Sequence, residues 1–110
     1  MAVTPTLLSR AQLTTTAIPG DTIVTSGSGT TIVTNILLCN KHTTDVQVTM
    51  SFTDTGTIDR YILYNTVIAA GTTMSIDMSQ VLSTTSSKYI KARASVTAVV
   101  DVHISGVVIT

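Results

Sequence analysis

The sequence predicts an all-β fold: a single-domain antiparallel β-sandwich, jelly-roll-like, with seven to eight strands and an extended N-terminal arm. Three observations predict it. Thr and Ser make up nearly a third of the chain and Val and Ile more than a fifth, while Glu and Trp are absent. Branched side chains of this kind suit a pleated surface and are poor helix formers. Apolar and polar residues alternate with period two in several runs, as in strands with one dry face. Turn-forming clusters separate those runs at short intervals.

In chain order, residues 1–15 form the arm and first strand, and residues 16–110 the sandwich. Pro5 and its Thr neighbours argue against regular structure over residues 1–6. A first strand is expected over Leu7 to Thr16, with Leu7, Ser9, Ala11 and Leu13 on one side. Ile18-Pro19-Gly20-Asp21 has turn chemistry, and a short strand from Thr22 to Thr25 follows it. Ser26-Gly27-Ser28-Gly29 is a connector, without the Lys and helix of a phosphate loop.

The stretch from Thr30 to Phe52 reads as a central hairpin. Its first run is apolar on both faces (Ile32, Ile36 and Leu38 against Val33, Leu37 and Cys39), as expected of an inner strand covered on both sides. Its second run places Val46, Val48, Met50 and Phe52 on a dry face and Asp45, Gln47, Thr49 and Ser51 on a wet one. Thr53-Asp54-Thr55-Gly56-Thr57 is a turn cluster. Further strands are expected from Arg60 to Ile68, and from Thr72 to Met78 with Met74, Ile76 and Met78 inward. Ala69-Ala70-Gly71 turns the chain between them. Ser79 to Ser87 reads as a loop with Val81 and Leu82 tucked beneath it. Lys88 to Val96 puts Ile90, Ala92, Ala94 and Val96 inside, with Lys91 and Arg93 outside. Val99 to Ile109 has Val100, Val102 and Ile104 inside and Asp101, His103 and Ser105 outside. Gly106 marks a bulge or bend in that last strand.

A chain of 110 residues is one domain, large enough for a core without staples. Six basic and six acidic residues leave no field to hold phosphate backbones or anionic lipid, so neither nucleic acid nor membrane is an expected partner. A surface with so little charge favours self-association. One Cys forms no internal disulfide, and the start Met1-Ala2-Val3-Thr4-Pro5 lacks a signal peptide's pattern, so folding in a cytoplasm is expected.

No catalytic residue, cofactor site or metal site is predicted. Asp54-Thr55-Gly56 matches the short string with which dimeric aspartic proteases pair two carboxylates, but Thr53 precedes it and no supporting Gly-Arg follows. The same string is ordinary turn chemistry. Cys39, His42 and His103 lack paired ligand spacing. Cys39 reads as a small buried residue, His42 as part of the hairpin turn and His103 as a wet-face residue. Adjacent Thr pairs such as Thr15-Thr16 and Thr30-Thr31 do not build a flat Thr ladder, and stacking aromatics for sugar are few. Lys88, Lys91 and Arg93, with Asp45, Asp77 and Asp101, are expected to form cross-strand or intersubunit ion pairs.

Four segments carry a resemblance: Leu-Leu-Ser-Arg-Ala-Gln-Leu-Thr-Thr-Thr (7–16), Thr-Asn-Ile-Leu-Leu-Cys-Asn (34–40), Val-Ile-Ala-Ala-Gly-Thr (67–72) and Val-His-Ile-Ser-Gly-Val-Val-Ile (102–109). In their order the chain resembles the small β-sandwich virion structural proteins of tailed bacteriophages. It has Ser86-Ser87-Lys88 where those proteins carry Gly-Asp ahead of the penultimate strand. The resemblance implies a non-enzymatic virion part made in the host cytoplasm. Its leading form is a capsid decoration (cement) protein on the head shell, and its alternative a tail, neck or baseplate component. Such a role implies contacts with other copies, a trimer being one arrangement, and with the major capsid protein or other virion proteins. The expected interface residues are Leu7, Leu8, Arg10 and Leu13 in the arm, and Tyr61, Tyr64 and Tyr89, for which core positions are the competing reading.

Overall fold

The computed structural model describes residues 3–17, 20–25, 29–54, 59–83 and 87–109, with the side chains of residues 3, 5, 54, 59, 87 and 88 excepted. Among the described residues there is no helix. Eight strands follow in order: β1 (Val3–Gln12), β2 (Asp21–Thr25), β3 (Thr30–Asn40), β4 (Val46–Asp54), β5 (Asp59–Ile68), β6 (Thr73–Leu82), β7 (Ser87–Ala94) and β8 (Val100–Ile109). They form two four-stranded sheets. Sheet A has the order β1-β8-β3-β6 and sheet B the order β2-β7-β4-β5, with every pairing antiparallel.

Alternation decides which side chains meet between the sheets. Val46, Val48, Met50 and Phe52 of β4 are buried, as are Ile90, Ala92 and Ala94 of β7 and Val100, Val102 and Ile104 of β8. They join Val33, Ile36 and Leu38 of β3 in one cluster drawn from both sheets, with Met74, Ile76, Met78 and Val96 packed on it. The inward assignments on β4, β6, β7 and β8, and that of Val96, agree with the period-two reading.

The central hairpin is overturned. β3 lies in sheet A and β4 in sheet B, and they do not pair; residues 41–45 carry the chain between sheets. Asn40 explains the corner. It is fully buried, its amide donates to Ile68 O (2.8 Å) and Thr44 O (3.1 Å), and its Oδ1 accepts His42 N (2.9 Å). One side chain thus ties the end of β3 to the end of β5 and to the connector, and satisfies groups that burial would otherwise leave unpaired. The one pair of consecutive strands that are also neighbours is β4–β5.

Three further expectations change. The arm expected over residues 1–6 is, from Val3 onward, part of β1, an edge strand paired with β8. Pro5 is tolerated there because an edge strand has one side without a ladder. The loop expected from Ser79 is, as far as Leu82, the end of β6. Leu82 is buried but Val81 faces out. The inner side of β3 is neither of the two sets expected. Thr31 and Val33 point inward, then Ile36, Leu38 and Asn40 do. The register shift at Thr34 exchanges the faces, as a bulge does.

Gly106 sits beside two bulges, one in each neighbouring strand. A Cβ there would lie 2.1 Å from Ile32 O and 2.9 Å from Leu8 Cδ1. The shifts fall on its neighbours, at Leu8 in β1 and Thr34 in β3, while β8 itself runs on regularly. Leu8 is thereby turned toward the core and Leu7 toward solvent.

Candidate interaction surface

The outer face of sheet A follows from the register. Leu7, Ser105, Asn35 and Asp77 lie across the four strands in one row. The next row is Arg10, His103, Leu37 and Ser75, and the one after it Gln12, Asp101, Cys39 and Thr73. At the opposite end, Val107, Ile32 and Val81 make an apolar row. Asn35 donates to Asp77 Oδ1 (2.8 Å) and Ser75 Oγ (3.2 Å), stitching β3 to β6. Lys41 closes one end with an ion pair to Asp101 at 3.3 Å. A shallow cleft of about 320 Å3 is lined by Arg10, Ala11, Gln12, Asp101 and His103.

Sheet B presents a different exterior. Thr49, Ser51 and Thr53 of β4 point outward yet are buried, so the wet face expected for β4 is dry along its middle. Their cross-strand neighbours are Arg93, Lys91 and Tyr89 on β7, and Tyr61 stands opposite Ser51 on β5. Long side chains flank short ones and cover them. Ser51 Oγ is buried there with no hydrogen-bond partner among the described residues. Thr49 Oγ1 accepts Asn65 N (3.0 Å) and donates to Asn65 Oδ1 (3.2 Å), with Asn65 at φ 46°. Asn tolerates that left-handed backbone better than most residues. It lies in one register shift of β5, and a second shift, at Ile62, puts Tyr61 and Tyr64 on the same face, in edge-to-face contact at 5.0 Å.

The expected interface residues therefore separate. Leu7 is 54% exposed and Arg10 is also exposed, both on sheet A, while Tyr61 and Tyr64 (59%) are exposed on β5. Tyr89 is half-buried on β7 and Leu8 packs on the core. Leu13 is corrected: at 1% exposure it belongs to the core, its backbone held by Val100 O and Ala98 N. Arm and tyrosines thus lie on opposite sheets and do not form one patch. Leu37, Ile32 and Val107 are surface residues that sequence reasoning does not single out, though the two-faced apolar run of β3 is their signal.

Asp54, Thr55 and Gly56 cannot be placed as a site: Thr55, Gly56 and the Asp54 side chain lie outside the described residues, as does the Lys88 side chain. Cys39 is half-buried on the outer face of sheet A, not in the core. His42 sits in the corner between the sheets, where its Nδ1 accepts Thr43 N. Among the described residues, no group of three His, Cys, Asp or Glu side chains is placed to hold a metal. Among the described residues Asp101 pairs with Lys41, and Lys91 and Arg93 make no ion pair with Asp45, Asp77 or Asp101 within the chain. Arg93 donates to Thr16 O (2.8 Å) and Asp45 accepts Ala70 N (3.0 Å). Asp21 accepts the Thr14 hydroxyl, which together with Thr16 holds its carboxyl below its ordinary value.

Comparison with protein-family models, with curated proteins and with solved structures finds no match to this chain.

Proposed function

We propose that this chain is a jelly-roll β-sandwich acting as a non-enzymatic structural protein of a virus particle. The observation that carries the reading is the strand order, β1-β8-β3-β6 over β2-β7-β4-β5. Of the seven connections, six cross between the sheets and only β4–β5 stays within one. That winding is a double Greek key, an architecture used by viral capsid and lectin domains and by cupins. Fold alone does not select among these. The resemblance to virion proteins of tailed bacteriophages favours the first. So does an exterior with an apolar row and little charge.

The proposed role is capsid decoration. Copies associate with one another and with the shell of the major capsid protein, and many modest contacts add through multivalency. The reading places the chain on the virion and assigns it no cofactor, nucleic acid or membrane. Particles made without this gene test it by negative-stain imaging. Heads that burst support decoration, missing tail, neck or baseplate fittings move the chain there, and particles indistinguishable from wild type overturn the virion role.

A further inference from the structure

We infer that the outer face of sheet A is the contact between two copies of this chain, related by a twofold axis running along the strands between β8 and β3. The inference rests on the self-association in the proposed function and not on the virion location.

Three features of that face fit a second copy. The first is its apolar content, one row at the end of the face and Leu37 two rows on, with Ser105 and Asn35 between them. Val107, Ile32 and Val81 share a row, and Leu37 lies beside His103 further along, with Leu37 36% and Val81 45% exposed. These sit on or beside the interior strands β8 and β3, with Ile32 and Val107 half-buried in the single chain. A twofold axis parallel to the strands lays β8 of one copy over β3 of its partner. Val107 then meets Ile32 twice and His103 meets Leu37 twice, so the surface is complementary to itself.

The second is charge. The same operation lays β1 over β6, the two edges of the sheet. Arg10 lies on β1 and Asp77 on β6, with no acidic partner for Arg10 among the described residues. They stand one outward row apart, roughly 7 Å along the strands, within reach of an arginine side chain. Two such pairs flank β8 and β3 symmetrically. The alternative twofold, across the strands, lays β1 over β1 and β6 over β6, which keeps Arg10 away from Asp77.

The third is size. Four strands of about ten residues span roughly 19 by 30 Å. That is about 600 Å2 from each copy and about 1,200 Å2 in all, at the lower end of specific interfaces. Sheet B exposes Tyr61, Tyr64 and Val67, but all three lie on its edge strand β5, and its middle is covered by its own long side chains.

Sedimentation of the purified full-length chain tests the pairing. The expected mass is twice 11.5 kDa. Leu37→Arg brings two guanidinium groups into the desolvated middle and should weaken association by about a hundredfold or more. Arg10→Asp and Asp77→Arg should each weaken it by about tenfold, and the double reversal should recover most of that loss. Tyr64→Arg, on the other sheet, should leave the mass unchanged. Far-UV circular dichroism confirms that each variant is folded. A monomer at 100 µM or a trimer overturns the inference, as does a dimer indifferent to Leu37→Arg or one dissolved by Tyr64→Arg. A dimer in solution with particles unaffected by loss of the gene would retain the pairing and remove the virion role.

Discussion

Replacing Asn40 separates a corner between sheets from a hairpin turn. In a hairpin, residue 40 would border an exposed connector, and Asn40→Ala would cost about 0.5 kcal/mol or less. In the structure its side chain is fully buried and makes three hydrogen bonds, two to carbonyls and one from a backbone amide. At about 1 kcal/mol for each bond, and with Ile68 O left unpaired, Asn40→Ala should cost about 3 kcal/mol. For a domain of this size that lowers Tm by roughly 12 °C.

Asn40→Asp sharpens the test. It keeps the shape but turns an oxygen toward Ile68 O and Thr44 O, so the ionised form is disfavoured by burial and by two carbonyl dipoles. The folded pKa of the new carboxyl then lies above its unfolded value of about 3.9. The protonated form donates to one carbonyl, so the variant is at its best below that unfolded value. It loses stability as pH rises through the folded pKa. Urea unfolding followed by circular dichroism at several pH values between 4 and 7 measures both effects. A loss under 1 kcal/mol for Asn40→Ala, or a pH-independent deficit for Asn40→Asp, would refute the corner.

Three other substitutions read other parts of the fold. Gly106→Ala drives a methyl into Ile32 O and should cost about 3 kcal/mol, seen as a lower urea midpoint with an unchanged slope; a loss below 1 kcal/mol would mean that β3 gives way freely at Ile32. Ser51→Ala removes a buried hydroxyl that lacks a partner among the described residues, so it should stabilise the fold by about 0.5–1 kcal/mol in the same assay; a loss of that size would reveal a bonded hydroxyl. Asp21→Asn tests the Thr14 contact. The carboxyl is held below its ordinary value, so its contribution is complete above the unfolded pKa and disappears as pH falls through the folded one. The gap in Tm between wild type and Asp21→Asn should therefore close on acidification, and a gap that widens would reverse the assignment.

Strands that alternate regularly are legible in the amino-acid order alone, because one face of each is buried and the side-chain period is two. Val46 to Phe52, Ile90 to Ala94 and Val100 to Ile104 all follow this rule. β3 does not, for two physical reasons. Its bulge at Thr34 exchanges faces midway, and a run apolar on both sides has no pattern by which to detect the exchange. The connector after Asn40 reads as a hairpin turn because five polar residues fit a hairpin and a corner equally; the difference lies in where β6 and β8 come to pair, far along the chain. The end of β6 is hidden because Ser79-Gln80 looks like loop chemistry, although Ser79 and Val81 continue the outward set. On the candidate surface, Leu7, Arg10, Tyr61 and Tyr64 are exposed. The burial of Thr49, Ser51 and Thr53 depends on the β5 shift at Asn65 and on long neighbours across the sheet, neither visible in β4 itself.

Residue choice on the outward faces is itself informative. This chain places hydroxyls and short polar groups there freely: Thr73, Ser75 and Asp77 on β6, and Gln47, Thr49 and Ser51 on β4. Thr would serve an interior outward position of β3 as well as Ile or Leu does, since sheet propensity reflects fit to a pleated, half-buried surface. Yet β3 carries Ile32, Leu37 and Cys39, and β8 adds Val107 beside Ile32. A single exposed Leu is ordinary on a protein surface, but a row in register across three strands is not scattered. Full burial of such a side chain contributes on the order of 1.5–3 kcal/mol, and in one isolated chain Leu37 and Val81 forgo much of it. The fold of one copy gives no reason for them, whereas a partner laid over the same strands recovers that burial twice, once for each copy.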